Sequence, residues 1–440
     1  MYKPFVFKIP NGNSDFLNKN NEQIIFSNNI NQPLFSLGFH SFLHRTKSAM
    51  EITNKLESKN FYYVVNPFEH KISDSKEDIS NEYLKYFNVK DEPKTLSRAF
   101  FKMWEMIVLF DLARNKNFSY AAVAEAPGSF IQAILKFREK FKLEVKNSKF
   151  FSVTIHNEKD NFINMSKQFL GYYNKKYPEL LNVHKTYTVN SSKKYKSRDN
   201  GDVTDIKTIS LFKKDITEKG NFVNLVSADG GFKWVDENYQ EQEAYILILG
   251  EIITALRVQA KEGDFVLKIF ETFTHVSIKL IYLISSFYED CYIYKPYFSR
   301  NSNSEKYLIC KNFKFNPDSK ELNDKITILE NILKQANSKL FVNDIFPSFK
   351  VPDEYVSIFK YINISIANTQ QIIINKIITY IKGNNYFGEK YHNYKDEQIK
   401  ANKWWIENFF INELSDKSEF INEQVNFNNS EIKLFLQKIN

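Results

Sequence analysis

Residues Tyr120 to Phe130 read YAAVAEAPGSF. A short apolar run ends at Glu125, the chain turns through Ala126, Pro127, Gly128 and Ser129, and a helical pattern resumes from Phe130 to about Phe141. The order is strand, tight turn, helix. Ala126, Gly128 and Ser129 carry little or no side chain, so a ligand can approach the backbone closely, and a helix N-terminus offers N–H groups that lack intrahelical partners. In an open α/β sheet such a turn lies at the carboxyl end of a strand, where cofactors bind. One glycine falls short of the three in a dinucleotide fingerprint, so the flanking sequence has to decide what the turn is for.

Upstream of the turn, a helix is expected from Thr95 or Ser97 through LSRAFFKMWEMIVLFDLAR to about Arg114. Downstream, Phe150–Ile155 reads as a second strand, followed by a long polar insertion over residues 157–200. Phe222–Ala228 reads as a buried strand closed by Asp229-Gly230-Gly231, and a long helix is expected from about Asp236 to Ala260. Gly263-Asp264 opens the strand Phe265–Phe270, and a helix covers Val276–Tyr288. Two short strands, Cys291–Tyr294 and Lys306–Cys310, flank the loop KPYFSRNSNSE. Strands alternating with helices imply an α/β fold with a mostly parallel sheet.

Residues 1–35 are Asn-rich with short apolar patches at Phe5–Ile9 and Ile24–Phe26, and Phe61–Val65 reads as a strand. Beyond about Asn316 the pattern turns wholly helical: Leu322–Ala336, Tyr355–Lys382, Gln398–Leu414 and Ser430–Lys438. The expected division is an N-terminal extension (1–94), a central domain (95–315) and an all-helical C-terminal module (316–440).

The chain of 440 residues is 43% hydrophobic, with 41 Phe and 25 Tyr, which supports a large core and argues against wholesale disorder. A net charge of +8 is compatible with a polyanionic partner without demanding one. Cys291 and Cys310 lack CxxC spacing, which argues against a zinc site or a disulfide scaffold and fits a reducing compartment. No run of eighteen apolar residues occurs and the N-terminus lacks a signal-peptide layout, so an intracellular, cytoplasmic protein without a membrane partner is expected. His40 and His44 have a zinc-compatible spacing but no accompanying third ligand, and no metal is expected.

Four polar residues sit where their surroundings make them expensive. Lys268 lies inside the apolar strand FVLKIF, Lys102 inside the apolar helix AFFKMWEM, Asp229 ends a buried strand and Glu305 precedes the strand KYLIC. Each alone reads as a snorkelling or salt-bridging residue. Asp229 and Lys268, at the carboxyl ends of two strands of one sheet, point to the same crevice as the Ala126–Ser129 turn.

The order Lys102, Asp229, Lys268, Glu305 resembles the K-D-K-E tetrad of FtsJ-like, S-adenosylmethionine-dependent RNA 2′-O-methyltransferases. SRAFFKMWE is similar to that family's SRAxxKLxE helix, and AEAPGSF to its A-x-P-G-G-F cofactor loop. ADGGF, GDFVLKIFETFT and KPYFSRNSNSEKYLIC resemble most the cap-specific branch, which methylates the first transcribed nucleotide of capped mRNA, with its kin among large cytoplasmic DNA viruses. The resemblance covers about residues 95–313. It implies a Rossmann-like methyltransferase sheet with helices on both faces and S-adenosylmethionine as cofactor. Expected cofactor contacts are Glu125, Ala126, Pro127, Gly128, Ser129, Phe130 and Asp229. Ser129 stands where the family usually has a second glycine, and the acid common at the end of the second strand is missing from FSVTIH. The Asp-Ile pair of the cap-specific branch matches Asp205-Ile206 best, with Asp202 and Asp215 as alternatives.

A ribose 2′-OH is a poor nucleophile, and a lysine can take its proton only when its pKa is depressed. The resemblance makes Lys268 the general base or its nearest equivalent. Burial, a nearby sulfonium and Lys102 would push its pKa down, against Asp229 and Glu305. Lys102 and Glu305 would orient the acceptor ribose, and Asp229 would anchor Lys268 and the cofactor. Ser299, Arg300 and Asn303 are the expected RNA contacts, with loop bracing as the other reading of Arg300. Trp404 and Trp405 read as core. The expected partners are the capped mRNA 5′ end and, through the C-terminal helices, other capping or transcription proteins. The expected activity is conversion of cap-0 to cap-1; the rivals are methylation of an internal rRNA or tRNA ribose and a non-catalytic cofactor- and RNA-binding subunit.

Overall fold

The computed structural model describes residues 2–58, 60–72, 78–156, 164–187, 198–220, 222–231, 235–336, 340–384 and 386–439. Ten strands occur among them. They are β1 (Phe5–Ile9), β2 (Ile24–Ser27), β3 (Ser119–Val123), β4 (Lys149–Val153) and β5 (Leu181–Val183). The second half of the chain adds β6 (Val223–Ala228), β7 (Gln259–Ile269), β8 (Tyr288–Lys295), β9 (Lys306–Phe313) and β10 (Phe341–Ile345). Eight of them form one sheet in the order β1-β8-β9-β7-β6-β3-β4-β5. From β7 to β5 the neighbours are parallel, and β9, β8 and β1 extend the sheet antiparallel. The carboxyl ends of β3, β4, β6 and β7 therefore open on one edge.

Period-two alternation in the strands sorts two cores onto the two faces. Ala121, Val123, Val226, Ala228 and Leu267 pack under the helices Tyr245–Val258 and His275–Ser285. Tyr120, Ala122, Leu225 and Val266 pack under the helices Ala99–Phe110 and Ser129–Lys140. The helix Ala99–Phe110 is buried over nearly its whole circumference, because the helices Glu389–Phe409 and Ser418–Ile439 cover its outer side. Trp104 and Trp405 are fully buried in that contact, while Trp404, also read as core, is half-buried at its margin. Each indole N–H has a partner: Trp104 Nε1 donates to Phe409 O (2.8 Å) and Trp405 Nε1 to Glu105 Oε1 (2.9 Å).

Several elements differ from the sequence reading. The C-terminal region is helical except for β10, which pairs antiparallel with β2 as a separate two-stranded sheet. Phe61–Val65 is no strand; Asn60–Tyr63 is a single helical turn that leads Val64 and Val65 against Ile377, Tyr380 and Ile381. A five-residue apolar run has no periodicity to distinguish the two states. The expected helix Asp236–Ala260 is broken into a 3-10 turn (Glu237–Tyr239), a short helix (Gln240–Glu243) and the helix Tyr245–Val258, and β7 starts directly afterwards at Gln259. No described helix is long and apolar enough to cross a membrane.

Candidate active site

β3 ends at Val123, and the chain turns over a cis Ala126–Pro127 bond to Gly128, whose φ of +110° is left-handed backbone that favours glycine. A Cβ on Gly128 would stand 3.2 Å from Met165 Cε. The turn is pinned from the far side by Ser166 N donating to Pro127 O (3.0 Å). Ala124, Ala126 and Pro127 remain partly exposed, so the small-residue surface expected to cradle a cofactor is accessible. The helix N-terminus behind it is less open than expected. Glu125 is buried and its Oε1 accepts from Phe130 N (2.9 Å) and Ile131 N (3.0 Å), so two of the first helical N–H groups are already satisfied. Burial pushes Glu125 up to about 8 against those two N–H groups, and the Asp229 charge adds to the rise. Ser129 turns away from the cradle as well: it is 2% exposed and its hydroxyl is 2.8 Å from that of Ser97.

The four expensive residues converge. Lys102 Nζ donates to Glu305 Oε1 at 2.7 Å, and Lys268 Nζ stands 3.1 Å from Asp229 Oδ1 and 2.9 Å from its main-chain oxygen. Tyr307, which the sequence reading passed over, joins the two pairs. Its hydroxyl donates to Asp229 Oδ1 (2.9 Å) and accepts from Lys102 Nζ (3.4 Å). The register of β7 with β9 sets Tyr307 directly opposite Lys268. Behind Asp229, Gly230 N donates to the buried Glu251 (3.0 Å), and a Cβ at Gly230 would fall 2.1 Å from that carboxylate. This explains one glycine of ADGGF; Phe232 lies outside the described residues.

The electrostatics differ from the expected depression of Lys268. Burial lowers its pKa, but Asp229, Glu305 and Glu251 outweigh burial and hold it above the ordinary lysine value. Burial alone would raise Glu305; Lys102, Lys268 and Lys295 reverse this and hold it well below the usual carboxylate range.

The loop 296–305 hangs from two buried anchors that sequence reasoning did not single out. Glu105, three residues after Lys102, is fully buried; it accepts from Tyr294 Oη (2.8 Å), Tyr297 N (2.8 Å) and Phe298 N (3.2 Å) as well as from Trp405. Burial raises it to about 7 despite these donors. Lys295 holds the other end through Asn303 and the main chain of Glu305. A charged residue inside an otherwise apolar helix was the available signal for Glu105.

Of the expected RNA contacts, only Ser299 reaches the tetrad, donating to Glu305 Oε1 (2.8 Å). Asn303 Oδ1 accepts from Lys295 (3.2 Å) and braces the loop. Arg300 is a bracing residue too: its guanidinium pairs with Glu69, which also accepts from Arg98 (3.2 Å), and lies 3.3 Å over the Tyr63 ring. Arg300, Glu69 and Tyr63 edge a cavity of about 570 Å³, lined also by His70, Tyr83 and, from the helix Glu389–Phe409, Tyr391 and Lys395. Tyr83 Oη and His70 Nδ1 belong to lining residues and are buried with no hydrogen-bond partner among the described residues.

On the second-strand side, Asp205 is exposed and serves as N-cap of the helix Ile206–Lys219, accepting from Lys207 N (2.8 Å), with Ile206 half-buried beside it. Asp215 is engaged by His184 (2.7 Å) and Arg198 (2.7 Å). Gly201 is pressed on the end of β4, where a Cβ would fall 2.1 Å from Thr154 O, and its φ is +84°. This close approach brings the neighbouring Asp202, partly buried, to the carboxyl edge of the sheet.

Residues 95–313 match the FtsJ-like methyltransferase family. The chain is 28% identical over 298 residues, 66% of its length, to the cap-specific mRNA (nucleoside-2′-O-)-methyltransferase 1A of Caenorhabditis briggsae, of which the match spans 31%. It is 25% identical over 364 residues, 80% of its length, to the cap-specific mRNA (nucleoside-2′-O-)-methyltransferase 2 of Drosophila melanogaster, of which the match spans 47%. It is also 28% identical over 298 residues to a Caenorhabditis briggsae protein named as an inactive cap-specific methyltransferase 1B, 66% of the chain and 32% of that protein. The chain thus spans under half the length of these relatives.

Proposed function

We propose that this chain, whose residues 95–313 form an FtsJ-like methyltransferase domain, is an S-adenosylmethionine-dependent RNA 2′-O-methyltransferase that acts on the first transcribed nucleotide of capped mRNA, converting cap-0 to cap-1. The observation that carries the reading is the convergence of Lys102, Asp229, Lys268 and Glu305, joined by Tyr307, at the edge of the sheet where the Ala124–Gly128 turn opens. The similarity to proteins named as cap-specific methyltransferases supports the substrate.

S-adenosylmethionine supplies a methyl group on a positively charged sulfur. The partly exposed backbone at Ala124–Pro127 and the carboxylate of Asp229 would hold it, with Asp202 or Asp205-Ile206 toward its adenosine. The chain's own residues then act on the acceptor. Lys102 and Glu305 fix the ribose, and Lys268, which its carboxylate neighbours keep largely protonated, enters the transfer in its neutral form, its amine nitrogen accepting the hydrogen bond from the 2′-hydroxyl. The transfer forms the O–CH3 bond, breaks the methyl–sulfur bond and releases the hydroxyl proton; the neutral fraction of Lys268 accepts that proton. A positive charge placed beside Lys268 works in the same direction as burial and enlarges that fraction.

The 5′ end is proposed to enter the cavity beside Arg300. Tyr63 and Tyr391 offer aromatic faces for a base, and Lys71 and Lys94 flank it for phosphates. The similarity to a relative named as inactive favours one second reading, a non-catalytic cofactor- and RNA-binding subunit.

Labelled S-adenosylmethionine with N7-methyl-capped, unmethylated-capped and uncapped short RNAs separates the readings. Transfer to the first nucleotide of capped RNA alone, lost in Lys268→Ala, is the expected result. Cap-independent transfer would indicate an internal ribose, and cofactor binding without transfer would indicate the non-catalytic subunit.

A further inference from the structure

Lys295 is the last residue of β8 and 7% exposed, yet it pairs directly with no carboxylate among the described residues. Its ammonium is surrounded by oxygens of the loop that follows it: Glu305 O (2.7 Å), Asn303 O (2.9 Å), Asn303 Oδ1 (3.2 Å) and Ser299 Oγ (3.4 Å). Burying an ammonium among neutral oxygens is costly, and burial pushes this one down to about 7. Glu305 opposes that shift, while Lys306, Lys102 and Arg98 add to it. An apolar residue at the strand end would be cheaper, so the position is explained by what the ammonium does to the loop.

The donors of a lysine ammonium are arranged to tie several acceptors at once. Here they tie the start of the loop to its end, closing residues 296–305 on themselves just before β9. The closed loop delivers Glu305, whose carboxylate meets Lys102 (2.7 Å) and accepts from Ser299 (2.8 Å). Within this loop the other anchor, Glu105, holds Tyr297 and Phe298 near its start. Lys295 therefore holds the main chain of Glu305 itself at 2.7 Å, with the Ser299 hydroxyl as a longer second donor to the same oxygen (3.3 Å), and its charge also contributes to keeping that carboxylate ionised.

We propose that Lys295 is a positioning residue of the methyl-transfer centre, acting through Glu305 on Lys102 and the acceptor ribose. This rests on the methyltransferase reading above. Misplacing a reacting group by about 1 Å costs on the order of 100-fold in rate.

The test compares the full chain with Lys295→Met, Lys295→Arg, Glu305→Gln and the double variant Lys295→Met/Glu305→Gln, on capped RNA and S-adenosylmethionine. Lys295→Met is expected to lower kcat about 10- to 100-fold with KM for the cofactor and the melting temperature little changed. Lys295→Arg, which keeps charge and donors, should recover part of that loss. The double variant should be no slower than Glu305→Gln alone, because both act through one carboxylate. Wild-type kcat in Lys295→Met, additive losses in the double variant, or a loss that follows the melting temperature in both Lys295 variants would each overturn the proposal. An inactive wild-type chain would instead overturn the methyltransferase reading, before any variant is compared.

Discussion

The Tyr307 hydroxyl donates a 2.9 Å hydrogen bond to Asp229 Oδ1, the same carboxylate oxygen that stands 3.1 Å from Lys268 Nζ. Asp229 is thus shared between a neutral and a charged donor, and Tyr307 also receives Lys102 (3.4 Å). Removing the hydroxyl leaves the ring packed and the charges in place, so Tyr307→Phe should fold normally. One lost hydrogen bond to a charged group is worth about 1.5–3 kcal/mol, which corresponds to a kcat lower by roughly 10- to 100-fold. Steady-state kinetics with KM for the cofactor unchanged would bear this out; an unchanged kcat would remove Tyr307 from the site.

Lys268 predicts the pH dependence. Its pKa lies above the ordinary lysine value because Asp229, Glu305 and Glu251 outweigh burial. A proton acceptor must be neutral, and the neutral fraction of a group with a raised pKa grows about tenfold per pH unit below that pKa. The methyl-transfer rate should therefore climb through pH 7 to 9 without a plateau near neutrality. Asp229→Asn removes the largest carboxylate contribution, lowers the Lys268 pKa and should shift the rise to lower pH. A rate independent of pH over this range would mean that Lys268 only orients the hydroxyl. Lys268→Ala should cost at least about 100-fold.

The turn at Ala126–Ser129 and the four tetrad residues were legible because each violates its surroundings. A glycine–proline turn interrupts a strand–helix boundary, and charged residues sit in apolar elements. Tyr307 was not legible, since one more tyrosine in an apolar strand looks like core until the pairing of β7 with β9 sets it opposite Lys268. Glu105 carried a weaker form of the same signal as Lys102 and was overlooked beside it. The choice among Asp205, Asp202 and Asp215 rested on motif wording; Asp205 caps a helix through one oxygen, Asp202 accepts from Thr204, and the close approach of Gly201 to Thr154 that brings Asp202 to the sheet edge is a tertiary contact no local pattern shows. The β2–β10 pair joins opposite ends of the chain, so neither strand could be inferred from its own neighbourhood.

His184 is buried with both ring nitrogens facing carboxylates, Nδ1 at 2.7 Å from Asp215 and Nε2 at 3.0 Å from Asp199. Burial lowers its pKa, but the two aspartates outweigh burial and raise it, while His184 holds both aspartates below their ordinary values. The sign follows from linkage: a histidine raised on folding stabilises fully below its unfolded pKa of about 6.5 and loses that contribution as pH rises through the folded value. Thermal stability should fall on going from pH 6 upward through that range. In His184→Gln the fall should flatten. Because Asp199 Oδ1 also accepts from Gly201 N (2.7 Å), the same variant should weaken S-adenosylmethionine binding, as read by calorimetry. Identical pH profiles for the variant and the wild type would show that His184 does not titrate in this window.

Trp405 sets what truncation does. Its Nε1 bonds to Glu105 (2.9 Å), the residue that holds Tyr297 and Phe298, and its ring packs on Phe101 and Phe298. The helix Glu389–Phe409 therefore covers the outer face of the helix that carries Lys102 and also lines the proposed cap cavity. If the C-terminal region served only to dock other proteins, deleting residues 389–440 would leave transfer intact. The packing predicts otherwise: deletion exposes Phe101, Trp104 and Glu105 and should yield an insoluble or molten chain. Trp405→Ala, by the usual cost of emptying a large aromatic site, should lose about 3–5 kcal/mol of stability. Trp405→Phe keeps most of the volume but removes one donor from Glu105, and should lower the melting temperature by only a few degrees, at about 1–3 kcal/mol for the unmet acceptor. A soluble 1–388 chain with wild-type methyl transfer would show that the helix is dispensable and return the region to a docking role.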